Sequence, residues 1–348
     1  MSEVVRTALA SIVDGRTLSL EEARGAMGAV MDGEATASQL AAFLVALRMR
    51  GETIEELAGF AAAMRERVLR VTAPEGAIDV VGTGGDQSGT FNISTAAARV
   101  VAAAGVPVAK HGNRAITSRS GSADVLEALG VRTDHDADSA GIALAENGFA
   151  FLFAPGFHPA MRHAGPTRKE IGVRTAFNLI GPLTNPAGVQ RLVVGVGDAA
   201  VAPRIAAVLH LLETERAFVV HGAGVDELPL DGSGVIHDVS ANGVSVRTVD
   251  PADFGLQSVA TSELSGGTPE ENAALVEGVL RGSHGPRRDV VLLNAGAALH
   301  VAGHADSLAD GVALAALTID GGAPAALLER LRAERLRHED KVARGVRS

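Results

Sequence analysis

Beyond residue 76, short apolar and β-branched runs alternate with long alanine-rich stretches. The runs are 78–81, 106–109, 149–153, 192–196 and 218–220. Apolar runs this short read as strands buried on both faces, and the stretches between them read as covering helices. Strand alternating with helix predicts an α/β chain built on a mainly parallel central sheet. Residues 235–237 and 244–249, with Ala-Asn-Gly between them, add an antiparallel hairpin. In such a sheet the parallel strands end at one edge, and ligands bind in the loops there.

Residues 1–70 carry a different pattern. Ser19…Glu22, Thr36…Gln39 and Thr53…Glu56 each have the spacing of a capping box, and Gly33 and Gly51 stand where helices stop. Leu40, Phe43, Leu44 and Leu47 fall on one helical face. Prolines at 159, 166, 182 and 186 interrupt the α/β pattern, so that segment is expected to cross back towards the N-terminal helices. The expected division is a small all-helical domain over 1–70, completed by part of 160–190, and an α/β domain over 75–348. The last twenty or so residues read as a charged, solvated helix.

Composition closes several routes. The chain has 348 residues, enough for a sizeable core, and no cysteine, so thiolate metal sites, disulfides and a cysteine nucleophile are excluded. The absence of cysteine fits a reducing, cytoplasmic setting. The N-terminus is a poor secretion signal, and Arg99 interrupts the longest apolar candidate for a membrane span. A net charge of −10 argues against a nucleic-acid partner, which would need a basic surface.

The first strand ends in Gly82-Thr-Gly-Gly-Asp86, and a helix is expected after Asn92. Strand, glycine loop and helix aim backbone N–H groups at an anion. The loop lacks both the dinucleotide spacing and a Walker lysine. Thr90, Asn92, Ser94 and Thr95 supply more short donors than one helix cap needs. The second strand runs into Lys110-His-Gly-Asn-Arg-Ala-Ile-Thr-Ser118, and Ser120-Gly-Ser122 opens another helix. Two donor-rich loops on one edge describe a site for more than one phosphate. A further glycine loop ends in Asp226-Glu227. Beside a polyphosphate such a pair suits magnesium, although a solvated turn has the same look.

Taken together, GTGGD (82–86), NIST (92–95), KHGNRAITS (110–118), GSADVLEALG (121–130), FAPGFHPAMR (153–162), RKEIGVRTAFNLIGPLTNPAG (168–188) and HGAGVDEL (221–228) closely resemble the anthranilate phosphoribosyltransferases of tryptophan biosynthesis. FLVALRMRGET (43–53) fits as well, and the match runs in one order over most of the chain. The resemblance implies the nucleoside phosphorylase/phosphoribosyltransferase type of fold, usually dimeric through the helical domain. It implies transfer of a phosphoribosyl group from phosphoribosyl pyrophosphate to the amine of anthranilate. By the same resemblance the phosphoribosyl donor would be held by Gly82, Gly85, Asp86, Thr90, Asn92, Ile93, Ser94, Thr95, Lys110, His111, Gly112, Asn113, Arg114, Ala115, Ile116, Thr117, Ser118 and Ser122. Ser94, Asp226 and Glu227 would hold magnesium, as two ions. Gly82, Asn113 and Arg168 would meet anthranilate, with His111, His158 and Met161 along its channel. Lys110, His111 and Arg168 are the residues expected to act in catalysis.

The implied chemistry suits these residue types. Pyrophosphate leaves as a polyanion while the sugar gains oxocarbenium character, so charge neutralisation and positioning dominate. An aromatic amine is already neutral and needs no strong base, which fits the lack of an evident catalytic dyad. A guanidinium such as Arg168 makes a planar two-point contact with a carboxylate, although Glu170 offers it a surface ion pair instead. Two other readings stay open on sequence grounds, a pyrimidine nucleoside phosphorylase and a non-catalytic sugar-phosphate-binding module.

Overall fold

The structure, a computed structural model, describes residues 1–86, 88–115 and 119–345. Helices α1 (Glu3–Val13), α2 (Leu20–Met31), α3 (Ala37–Arg50) and α4 (Ile54–Glu66) form the N-terminal bundle. All three expected capping boxes close, each with a hydroxyl accepting the backbone amide three residues on and the acid or amide side chain there reaching back. Glu56 does more than cap. It is fully buried, accepts Leu18 N at 2.8 Å and Thr53 N at 2.9 Å, and pairs with Arg50.

The larger part is a seven-stranded sheet in the order β3-β2-β1-β4-β5-β6-β7. Its strands are β1 (Ile78–Gly82), β2 (Val108–Gly112), β3 (Phe149–Phe153), β4 (Arg191–Gly195), β5 (Arg216–His221), β6 (Gly234–Ser240) and β7 (Gly243–Val249). The first five run parallel, and β6 and β7 form the expected antiparallel hairpin. One expectation shifts. The second strand begins at Val108, after Pro107, which has no N–H for the ladder. It extends to Gly112, so Lys110 and His111 are strand residues and not loop residues.

Side chains alternate between two cores, as a pleat requires. Phe149 and Phe151 of β3 enter one core, and Ala150 and Leu152 enter the other. The first core lies under α5 (Ile93–Ala103), α6 (Ser122–Ala128), α12 (Pro269–Leu280), α13 (Pro286–Val301), α14 (Leu308–Asp320) and α15 (Ala323–Ala343). The second is continuous with the helical bundle: Phe43, Phe60 and Met64 share it with Leu152, Val194 and Val219. Helices α7 (Ala137–Asn147) and α11 (Ala202–Leu211) pack on that same face. Between β3 and β4 the chain makes α8 (Ala154–Phe157), α9 (Gly165–Ile171) and α10 (Ala176–Ile180). Of these, α9 contacts α3, and α10 contacts α3 and α4. Among the described residues no single helix is long and apolar enough to cross a bilayer.

Candidate functional site

The parallel strands β1, β2, β3, β4 and β5 end at one edge, and the residues singled out in the sequence collect there in two neighbouring zones. The first zone is acidic. Asp86, from the glycine loop, and Asp226 and Glu227, from the loop after β5, offer carboxylate oxygens all within 4.8 Å of one another. Two glycines make room for this loop. A Cβ on Gly82 would lie 2.2 Å from Asp226 Oδ2, and one on Gly195 would lie 1.6 Å from the Asp226 carbonyl oxygen. Gly84 N donates to Asp226 Oδ2 at 3.0 Å. Gly84 itself meets no crowding, and its φ of +62° is what favours glycine there.

Burial, and then the repulsion of Asp86, raises the pKa of Asp226. Burial, and then Asp226 and Asp86, push Glu227 well above the carboxylate range. Glu227 Oε2 is buried without a hydrogen-bond partner among the described residues. Three crowded acids, one with an unsatisfied buried oxygen, fit a hard divalent cation, which would supply the missing charge. Asp86 therefore belongs with the carboxylate set as well as with the glycine loop. Ser94 is the second residue of α5, where the N-cap Asn92 leaves the first helical amides without a side-chain cap.

Lys110 is 2% exposed, and its Nζ donates to Val80 O at 2.6 Å beneath the glycine loop. Burial lowers its pKa, while Asp79 and Glu227 act to raise it. Asp79 is a buried acid in the middle of β1. It accepts Asn185 Nδ2 at 2.8 Å and His111 N at 3.2 Å, and burial raises its pKa to about 6. Lys110 thus faces the carboxylates from below, inside the sheet.

The second zone is a cavity of about 500 Å3, the size of a small-molecule site. Gly82, His111, Gly112, Asn113, His158, Met161 and Arg168 all line it, with Met64, Val81 and Phe177 as apolar wall. Arg168 lies over the Phe177 ring at 4.7 Å, and burial alone lowers its pKa, with no neighbouring acid opposing it. The surface pair with Glu170 is not made. His111 and His158 meet Nε2 to Nε2 at 3.2 Å. Burial draws them down to about 3 and about 4, so both imidazoles are neutral at physiological pH.

The remaining residues divide by environment. Asn92 is tied to Ser120 and Asn272 at 2.9–3.3 Å. Thr95 is buried with its hydroxyl unpartnered among the described residues, and Ile93 points its side chain into the core. Thr90 bridges Ser265, Ser122 Oγ donates to Asn113 O at 3.2 Å, and Ala115 N donates to Asp124 at 2.9 Å. Arg114 turns to Asp124 and Glu127 at 2.6–3.0 Å. Ile116, Thr117 and Ser118 lie outside the described residues.

Sequence reasoning left out Arg174, which donates to Gly84 O at 2.6 Å and occupies the space a Cβ on Gly85 would need. It also left out Arg162, which lines the cavity, and the Asp79–Asn185 pair. An acid inside an apolar strand was the one signal for Asp79; a solvated loop and Arg174 look alike in sequence.

Comparison with known proteins agrees with this geometry. Residues 74–325 match the model of the glycosyl transferase family α/β domain, and residues 6–68 match that of its helical bundle domain. A curated anthranilate phosphoribosyltransferase of Afipia carboxidovorans is 52% identical over 93% of this chain and 96% of its own length. The crystal structure of the Thermus thermophilus enzyme superposes with a TM-score of 0.89 at 47% identity, covering 95% of this chain and 99% of that one. The Saccharomyces cerevisiae enzyme in complex with PRPP and Mg gives 0.88 at 28% identity, covering 97% and 99%. With about half of its residues shared with curated relatives over nearly their whole length, and with both domain models matched, the chain belongs to the anthranilate phosphoribosyltransferase family.

Proposed function

We propose that the chain transfers the 5-phosphoribosyl group of phosphoribosyl pyrophosphate to the amine of anthranilate, releasing pyrophosphate, as the second step of tryptophan biosynthesis from chorismate. The observation that carries this reading is a single cavity joining Arg168 to the ends of β1 and β2. A carboxylate on Arg168 fixes one end of a flat aromatic ring against Phe177 and Met161. The ring's amine is then directed to Gly82 and Asn113, beside the glycine loop where the sugar would sit. Holding the amine there converts a bimolecular attack into a positioned one, worth up to roughly 7–11 kcal/mol. Neutral His111 and His158 shape the cavity without adding charge.

The glycine loop and the uncapped amides at the start of α5 receive the phosphates, with Thr90, Thr95 and Ser122 as further donors. Asp86, Asp226 and Glu227, with Ser94, would hold magnesium; three carboxylates and a pyrophosphate carry charge for two ions. The chemistry such an ion supplies is neutralisation of the departing pyrophosphate. Lys110 lends its positive charge to the field around Glu227 and Asp226 and keeps Val80, at the base of the loop, in place. Because phosphoribosyl pyrophosphate is too highly charged to cross a bilayer, the reading places the chain in the cytoplasm, where that donor is made.

The family's habit of pairing through the helical domain extends to a homodimer here. Val45 and Met49, one turn apart on α3, are 37% and 83% exposed, and α1, which packs on α3, also exposes Val4 and Val13. The test of function is anthranilate fluorescence in the presence of phosphoribosyl pyrophosphate and magnesium, against little protein background because the chain has no Trp or Tyr. Loss of anthranilate matched by pyrophosphate release is expected. Phosphorolysis of thymidine without anthranilate turnover would replace this reading with a nucleoside phosphorylase.

A further inference from the structure

A second cavity, of about 240 Å3, lies where the chain passes twice between the helical bundle and the sheet. The outbound crossing follows α4 and is pinned by Leu69 N to Phe157 O at 2.9 Å and by Val71 N to Pro186 O at 3.1 Å. It contributes Arg65 and Arg70 to the cavity, and the return crossing contributes Leu183, Asn185, Val189 and Gln190. The two cavities share no lining residue. They stand back to back: Met64 faces the first and Arg65 the second, and Thr184 and Asn185 divide in the same way.

The charge here is one-sided. Among the described residues no acid lines the cavity. Arg65 Nε donates to Leu183 O at 2.7 Å, which orients the guanidinium and leaves its other N–H donors for a further acceptor. Arg70 reaches the Arg65 carbonyl at 3.4 Å. Burial and the nearby Arg70 both lower the Arg65 pKa. Arg65 is half-buried in the cavity wall and Arg70 is exposed at its mouth, so the two positive charges favour an anion there. Leu183 and Val189 give the rest of the wall an apolar character that a bare inorganic anion would not use.

We propose that this crossing cavity binds a small carboxylate with an apolar body, its charge on Arg65 and Arg70 and its body against Leu183 and Val189. Gln190 lies at its rim, while Asn185, whose amide is spent on Asp79, Ala109 O and Ala187 N, serves only as wall. The site is separate from the substrate cavity and does not depend on the reaction assigned there.

Benzoate is the probe, titrated calorimetrically into the full chain. Two sites per chain are expected, one ending on Arg168 and one on Arg65 and Arg70. Arg168→Gln should remove the first alone. Arg70→Gln should weaken the second about tenfold, the loss of one charge-assisted contact. Arg65→Lys, which keeps the charge and loses the planar fork, should weaken it as well, and melting curves check that both variants fold. A single benzoate site lost with Arg168→Gln, or wild-type binding in both the Arg65 and Arg70 variants, overturns the proposal. So does inorganic phosphate binding at these arginines more tightly than benzoate. If Arg168→Gln leaves both sites intact while Arg70→Gln removes one, the substrate assignment fails and the crossing site stands.

Discussion

Arg168 and Arg99 are both buried guanidiniums with opposite consequences. Arg168 stands at a cavity wall, stacked on Phe177, with its charge available to a ligand. Arg168→Ala should raise the anthranilate KM by about tenfold or more, while the KM for phosphoribosyl pyrophosphate stays within about twofold. Steady-state kinetics with each substrate varied would show this, and equal weakening of both would remove Arg168 from the anthranilate end. Arg99 is fully buried in α5, 4.2 Å above the Phe149 ring, and its three guanidinium nitrogens have no hydrogen-bond partner among the described residues. Burial pulls its pKa down to about 9, so it stays charged at neutral pH at a cost to the fold. Arg99→Leu should stabilise the chain by roughly 1–4 kcal/mol in urea unfolding with kcat unchanged. A destabilised variant would mean that the charge has a partner. Neither role was legible from spacing. Arg168 has an acid two residues on, and only the family resemblance directed it to a ligand. Arg99 looked like nothing more than a break in an apolar run. Partnership across a fold is a matter of tertiary distance, which a one-dimensional pattern does not carry.

Elements were far more legible, because their signals are local. The capping boxes of α2, α3 and α4 were readable residue by residue, and the strands were readable from their β-branched runs. What the local pattern missed was Glu56's second task of anchoring Leu18 N and pairing with Arg50. Glu56→Ala should cost about 3–5 kcal/mol, several times the loss of about 1 kcal/mol from Thr36→Ala, which removes a cap alone. Denaturant unfolding of the two variants tests that ratio. The end of β2 and the segment after α8 are joined by the His111–His158 contact. Their pKa values lie below the ordinary 6.5, so between about 6.5 and about 4 the unfolded chain takes up protons that the folded chain refuses. The stability they contribute is present above 6.5 and is lost as the pH falls through that window, by up to about 1.4 kcal/mol per pH unit for each ring. His158→Gln should therefore flatten the decline of Tm between those pH values relative to the unsubstituted chain. An identical slope would mean that the imidazoles titrate normally.

At the scale of the whole molecule, the exposed apolar residues of α1 and α3 bear on assembly. Met49→Glu should halve the mass found by light scattering while leaving the far-ultraviolet dichroism unchanged; an unaltered mass would place any subunit contact elsewhere. The mainly parallel sheet and the edge where the candidate residues collect were foreseeable, because parallel strands leave little choice of where loops gather. The prolines over 159–188 marked an interruption that was expected to turn back towards the N-terminal helices, and there α9 contacts α3 while α10 contacts α3 and α4. Its destination matters for how the molecule is made. The bundle shares one core with Leu152 and Val194 of the sheet, and α4 packs on α11, Ala202–Leu211. A ribosome delivers residues at about 5–20 per second, so the nascent helices wait on the order of ten seconds or more for the segments that cover them. During that interval the face of α4 that packs on α11 is an open greasy flank, and a trigger-factor-like holdase would be expected to occupy it until α11 emerges.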